Sequence, residues 1–250
     1  MRIAVVSDLH LAAEASVCRG GRSERALLQW LDLLAERHDR VVLLGDIWET
    51  LAPRRLGDGR AELERAAARW PGVMARISDP AFVYIHGNHD LVAAQVLNSP
   101  SEWRVCADGL RLWFTHGHQF DKFSSTANSE RAFWAVGWVM RAGLRRLVER
   151  LDGVDQVLGG AHRLQARCQV QKRAVTAARA ASVDLIVTGH THLGGVFDHG
   201  DVQYLNSGTG AGGRRSCLSI DTATRRWFWI DGKAEARMRL RFNRPLLHSH

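Results

Sequence analysis

The chain has 250 residues, 46% of them apolar and 24% charged, with 23 Gly and 5 Pro, which excludes collagenous, Pro-rich and wholly disordered classes and suits one large soluble core. Arg, Asp or His interrupts every apolar run before the ~20 residues that a membrane-spanning helix needs. Formal charge is +8; since only Lys122, Lys172 and Lys233 are lysine, the excess is almost all arginine, which fits an anionic partner and equally a plain compositional bias.

Arg2–Ser7 reads as a short buried strand that feeds a loop, and Asp8 and His10 follow too soon for a signal peptide. Ser23–Arg37 and Ala61–Arg69 carry helical spacing. Val41–Leu44 and Phe82–Ile85 read as further strands, the first stopping at Gly45-Asp46 and the second at His86-Gly87-Asn88-His89-Asp90. Leu112–Thr115 stops at His116-Gly117-His118, and Leu185–Thr188 at Gly189-His190-Thr191-His192. The segment from about 121 to 163 reads as a helical insertion, followed by a long helix over Gln165–Ala181. Val202–Leu205, Cys217–Ile220 and Trp227–Ile230 read as a strand meander. Strands alternating with helices, then strands alone, predict an α/β layered domain over residues 1–232, with a basic, unpatterned tail at 233–250. Four scattered cysteines without C-x-x-C spacing suggest neither disulfides nor a zinc knuckle, so a reducing cytoplasm fits.

Five strands thus end in ligand-type residues. Asp8 and His10, two apart, would point the same way in extended geometry, and His190 and His192 repeat the spacing. With Asp46, Asn88 and His116 they make seven N/O donors, suited to Mn²⁺, Fe²⁺, Zn²⁺ or Mg²⁺. Seven is too many for one ion and right for two that share a carboxylate, roughly 3.5–4 Å apart, the usual clamp for attack at phosphorus. A lone His at a strand end is more often a hydrogen-bonding residue; the paired spacings argue otherwise here.

In this ordered set the sequence resembles the calcineurin-like metallophosphoesterases. The resemblance implies a four-layer αββα sandwich and two divalent ions, most simply Mn²⁺. Asp8, His10 and His192 would hold one ion, Asn88, His116 and His190 the other, and Asp46 would bridge. His89 matches the family's catalytic histidine. Many members orient it with an Asp three residues after the bridging one; here Glu49 stands there, with Asp90 the competitor. Asn88, His118 and Arg54 are read as substrate contacts, with His118 equally able to support His116, and Arg54 fitting a solvated loop residue better. His86 reads as structural.

Leu44-Gly45-Asp46-Ile47-Trp48-Glu49 further resembles the bacterial UDP-2,3-diacylglucosamine diphosphatases, although His89 stands where that group carries Arg. A lipid-linked substrate gives the insertion a role. Phe133, Trp134, Val136, Trp138, Val139 and Met140 are almost wholly apolar, and Leu144, Leu147, Val148 and Leu151 lie opposite Arg145, Arg146 and Arg150. Such a segment suits an acyl groove or the inner membrane face, while Trp134 and Trp138 equally suit core packing and Leu144–Leu151 suits it better. Nucleotide or nucleic-acid hydrolysis is the alternative activity, disfavoured by the lack of interleaved aromatics. A scaffold that has lost catalysis is the alternative class.

Overall fold

A computed structural model describes residues 1–21, 23–122, 127–144 and 160–230; for 127–130, 132, 133, 144 and 160–168 only the backbone is described. Two five-stranded mixed sheets form its centre. The first runs β10-β9-β1-β2-β3, from Arg226–Ile230, Cys217–Asp221, Arg2–Val6, Arg40–Leu44 and Phe82–Ile85. The second runs β4-β5-β6-β8-β7, from Glu102–Ala107, Leu110–Thr115, Leu185–Thr188, Gln203–Asn206 and Gly195–Asp198. β1, β2 and β3 are parallel, as are β5, β6 and β8; the remaining pairs are antiparallel.

The pleat sorts each central strand between two cores. On β2, Val42 and Leu44 join Ile3, Val5, Phe114, Val187 and Leu205 between the sheets, while Val41 and Leu43 face the helices. Burial on both faces is why these strands read as continuous apolar runs. Helix α1 (Glu24–Arg37) starts at Ser23, whose hydroxyl accepts the Ala26 N–H at 3.2 Å, and buries Leu27, Trp30, Leu31 and Leu34 as one stripe. Burying each such leucine contributes about 2 kcal/mol. Helices α2 (Gly59–Arg69) and α3 (Pro71–Ile77) extend this layer through Leu63 and Val73, and a short α4 (Ala93–Val96) follows β3. Helix α6 (Gly160–Ala180) covers the second sheet, with Ala174, Val175 and Ala178 against Trp113, Ile186 and Tyr204. The result is the α/β sandwich of helix, sheet, sheet and helix.

Two expectations need correction, and two strands were not expected. The meander is broken: β8 pairs with β6 and β7, whereas β9 and β10 lie in the other sheet, because residues 207–216 cross between sheets and pack on the end of β1. β4 and β7 escaped notice because they are edge strands with a solvated face; β4 alternates Trp103 and Val105 inward with exposed Arg104 and Cys106. Helix α6 begins at Gly160, five residues before the expected start. In the insertion, α5 (Ala127–Val139) continues into a π-helical turn at Met140–Leu144. Leu147, Val148, Leu151, Arg145, Arg146, Arg150 and the tail at 233–250 lie outside the described residues, and for Phe133 and Leu144 only the backbone is described.

Candidate metal centre

The loops after β1 and β2 continue side by side beyond the strands. The Asp8 N–H donates to Gly45 O at 3.1 Å, His10 N–H to Asp46 O at 2.9 Å, and Leu11 N–H to Ile47 O at 2.8 Å. This pairing sets Asp8 and His10 beside Asp46. The extended geometry expected for the Asp8–His10 and His190–His192 pairs is not found. Asp8, His10, Asp46, His190 and His192 have φ between 48° and 62°, five of the nine non-glycine residues with positive φ among those described. Left-handed backbone costs about 1–3 kcal/mol per residue and persists where surrounding bonds enforce it. Gly45, at φ 78°, is obligatory twice over, since a Cβ there would lie 2.5 Å from His116 Nδ1.

The side chains converge in three groups whose donor atoms lie within 4.8 Å of one another: Asp8, His10 and His192; Asp46, His116 and His190; and His10, Glu49 and His89. Within them His192 Nε2 is 3.0 Å from Asp8 Oδ1, and His116 Nε2 is 3.1 Å from Asp46 Oδ2. Yet Asp8 Oδ1, His10 Nε2, Asn88 Oδ1, His116 Nε2 and His118 Nδ1 are buried without an aligned hydrogen bond. His10 Nε2 and Asn88 Oδ1 would be costly to bury as they stand, and a divalent cation suits them together with Asp8 Oδ1 and His116 Nε2. The residues therefore fit a metal centre. His116 Nδ1 donates to Leu44 O at 2.9 Å, which turns Nε2 inward, and His10 Nδ1 faces Glu49 Oε2 at 3.2 Å with the same effect.

His89 lies at the rim of this centre, its backbone N–H donating to Asp46 Oδ1 at 2.8 Å. Its Nδ1 is 2.9 and 3.0 Å from the two Glu49 oxygens. Burial alone would lower the His89 pKa, but the Glu49 and Asp46 carboxylates raise it to about 9. Burial likewise opposes a charged His116, which Asp46 and Asp8 raise to about 10, whereas burial and the neighbouring His116 push His118 down to about 3. Burial would raise the Asp46 carboxyl, but His116, His89 and His10 hold it well below the usual range.

Asp90, the competitor for orienting His89, is committed elsewhere. It accepts the N–H groups of Asp46, Ile47, Trp48 and Gly87 and the Tyr84 hydroxyl, which ties the Asp46 loop to the Asn88 loop. Arg54 does not enter the donor cluster: its side chain is 72% exposed and its Nε donates to Glu14 at 2.7 Å. His86 is held by Ser99 O at 3.0 Å. Two residues of the site escaped the sequence reading. Asp121 Oδ2 lies 3.1 Å from His190 Nε2 and stands in no recognisable pattern. Asn206 donates to Gly189 O at 2.7 Å and to Thr191 Oγ1 at 3.1 Å, pinning the His190–His192 turn. Its signal was available, since it too stands at a strand exit.

Residues 1–224 match the family model described as the calcineurin-like phosphoesterase superfamily domain. The chain belongs to this superfamily. The superfamily typically binds divalent metals, and the three Asp/His/Glu groups here could hold such ions. Solved structures similar to it include an archaeal phosphodiesterase, at 15% identity over 92% of this chain and 99% of that one, with a TM-score of 0.46. The phosphoesterase YfcE from E. coli aligns at 17% identity over 92% and 98%, with a TM-score of 0.42. Zinc-complexed Vps29 from Entamoeba histolytica aligns at 14% identity over 92% and 99%, with a TM-score of 0.46. No curated relative matches the sequence. No described helix is long and apolar enough to cross a membrane.

The insertion divides between site and solvent. Val136, Gly137 and Met140 line a small cavity with Glu49, Ala52 and His89, while Trp138 and Val139 are 49% and 39% exposed. The core-packing alternative for the Trp pair therefore fails at Trp138, whose ring meets Trp134 edge-on at 6.3 Å.

Proposed function

We propose that this phosphoesterase domain, one unit over residues 1–232, is a dinuclear metal-dependent hydrolase of phosphoester or pyrophosphate bonds. The observation that carries the reading is the set of buried donor atoms without an aligned hydrogen bond on either side of Asp46, next to a histidine whose Nδ1 lies 2.9 Å from Glu49. Asp8, His10 and His192 would hold one ion, Asn88, His116 and His190 the other, and Asp46 both. Bound divalent ions, Mn²⁺ in the simplest case, supply charge to the phosphate oxygens and lower the pKa of water. His89 neutralises the phosphoryl group and gives its proton to the leaving oxygen, Glu49 fixing the ring through Nδ1. His118 and Asn88 are the proposed substrate contacts; Arg54, paired with Glu14, is the weakest member of that set.

The finer reading is a UDP-2,3-diacylglucosamine diphosphatase-like enzyme in the cytoplasm, peripheral at the inner membrane face. Supporting it are the Leu44–Glu49 motif, the apolar wall of Val17, Ala52, Val136 and Met140 beside His89, and the exposed Trp138. His89 in place of Arg counts against it. The test compares Mn²⁺-dependent hydrolysis of UDP-2,3-diacylglucosamine, bis-p-nitrophenyl phosphate and single-stranded DNA. Preference for the lipid supports the finer reading, turnover of only the other two leaves a general phosphodiesterase, and no turnover of any removes the enzyme reading in favour of a scaffold.

A further inference from the structure

Arg141 belongs to the insertion but is anchored in the loop that carries Glu49. Its side chain is only 10% exposed, donating through one terminal nitrogen to Ala52 O and through the other to Pro53 O at 3.4 Å. Its Nε donates to Glu14 Oε2 at 3.1 Å, on the loop that follows β1. Burial would raise the Glu14 carboxyl, but Arg54 and Arg141 together hold it below the usual range. One turn earlier, Gly137 lies so close to the same loop that a Cβ would approach Ala52 Cβ to 2.7 Å. Met140, 4% exposed, closes the contact from the insertion side. The space left between Met140, Ala52, Glu49 and His89 is about 10 Å³, room for one water at most. Ala52 is three residues from Glu49, and Leu51 N–H donates to Glu49 Oε1 at 3.2 Å, so the anchored backbone runs directly into the carboxylate that grips His89.

We infer that Arg141 is a positioning residue: it latches the insertion onto the Ala52–Pro53 backbone and thereby holds Glu49, and through it His89, in working orientation. The inference rests on the proposed role of His89. A guanidinium suits the task because its planar fork reaches two carbonyls while Nε meets a carboxylate, which a single ammonium cannot reproduce. Loss of the latch acts on ring orientation and not on phosphate binding, so it lowers kcat and leaves KM nearly unchanged.

The test uses the full chain loaded with Zn²⁺ for NMR and with Mn²⁺ for kinetics on bis-p-nitrophenyl phosphate. Arg141→Met is expected to lower kcat about tenfold at nearly constant KM, with Arg141→Lys intermediate. Gly137→Val, which lifts the helix off Ala52 without touching a charge, is expected to do the same. Surface Arg104→Met, on β4, is the unchanged control. The hydrogen-bonded imidazole N–H resonance of His89, identified by its loss in His89→Ala, is expected to broaden or disappear in Arg141→Met. If Arg141→Met lowers only the melting temperature, with kcat of the folded enzyme and the resonance intact, Arg141 is merely structural and the inference falls. If the wild-type chain hydrolyses nothing, the proposed function fails and the resonance alone decides the latch.

Discussion

The Glu49 carboxylate lies 2.9 Å from Nδ1 of His89, and its Oε2 also meets Nδ1 of His10 at 3.2 Å. One carboxylate thus orients the proposed proton donor and one proposed metal ligand. His89→Ala is expected to keep the metals and lose about 10²–10⁴-fold in kcat. Glu49→Gln, which keeps shape and removes charge, is expected to cost about 10–100-fold. Steady-state kinetics with metal analysis of each variant checks both, and an unchanged His89→Ala rate would exclude the acid role.

Asp46 faces His116 with one oxygen and the His89 N–H with the other. Asp46→Asn weakens the charge that the two proposed ion positions would share, so metal content and turnover are expected to fall together. Elemental analysis after dialysis, beside the rate at added Mn²⁺, reads both. Chelation of the wild type is expected to abolish turnover and Mn²⁺ to restore it; retained activity after complete chelation would exclude the metal reading.

Asp90 is wholly buried and gathers four backbone N–H groups and one hydroxyl. Asp90→Ala leaves those donors without a partner and is expected to destabilise the fold by about 3 kcal/mol, since each buried donor left unmatched costs about 1–3 kcal/mol and the loop relaxes in part. Urea unfolding of the metal-free protein measures it. A loss under 1 kcal/mol would mean that the loop finds other acceptors.

His38 links the end of α1 to β9: Nδ1 donates to Leu34 O at 2.8 Å, and Nε2 lies 2.9 Å from the Ser219 hydroxyl. Burial lowers its pKa, helped by nearby Arg2 and Arg37, against the hydrogen bond to the Leu34 carbonyl and the charge of Asp39, which raise it; Asp221 and Arg226 line the same cavity. A folded value below the unfolded ~6.5 means that the unfolded chain takes up the proton first. The stability His38 contributes is therefore complete above pH 6.5 and lost as pH falls through the folded value. The difference in unfolding free energy between wild type and His38→Gln is expected to shrink from pH 7 to pH 5. A constant difference would exclude this linkage.

The strands β1, β2, β3, β5 and β6 and the seven proposed donors behind them were legible as positions because each is a local signal: an apolar run, then Asp, Asn or His. Glu49 was legible as a position, three residues past Asp46, but its choice over Asp90 was not. That choice depends on which atoms meet His89 across 40 residues of chain. The edge strands β4 and β7 stayed hidden because a solvated face breaks the apolar run, and Asp121 because nothing near it in the chain points to His190.

The sequence by itself determined which atoms are available for a metal and for an acid, since donor chemistry belongs to the residue and its position after a strand. Only the tertiary structure decided how they are presented. Left-handed backbone at Asp8, His10, Asp46, His190 and His192, the crossing of residues 207–216 between sheets, and the seat of Arg141 on Ala52 and Pro53 all depend on surfaces supplied by distant segments. Burial of those surfaces and satisfaction of backbone hydrogen bonds hold conformations that no residue here prefers alone.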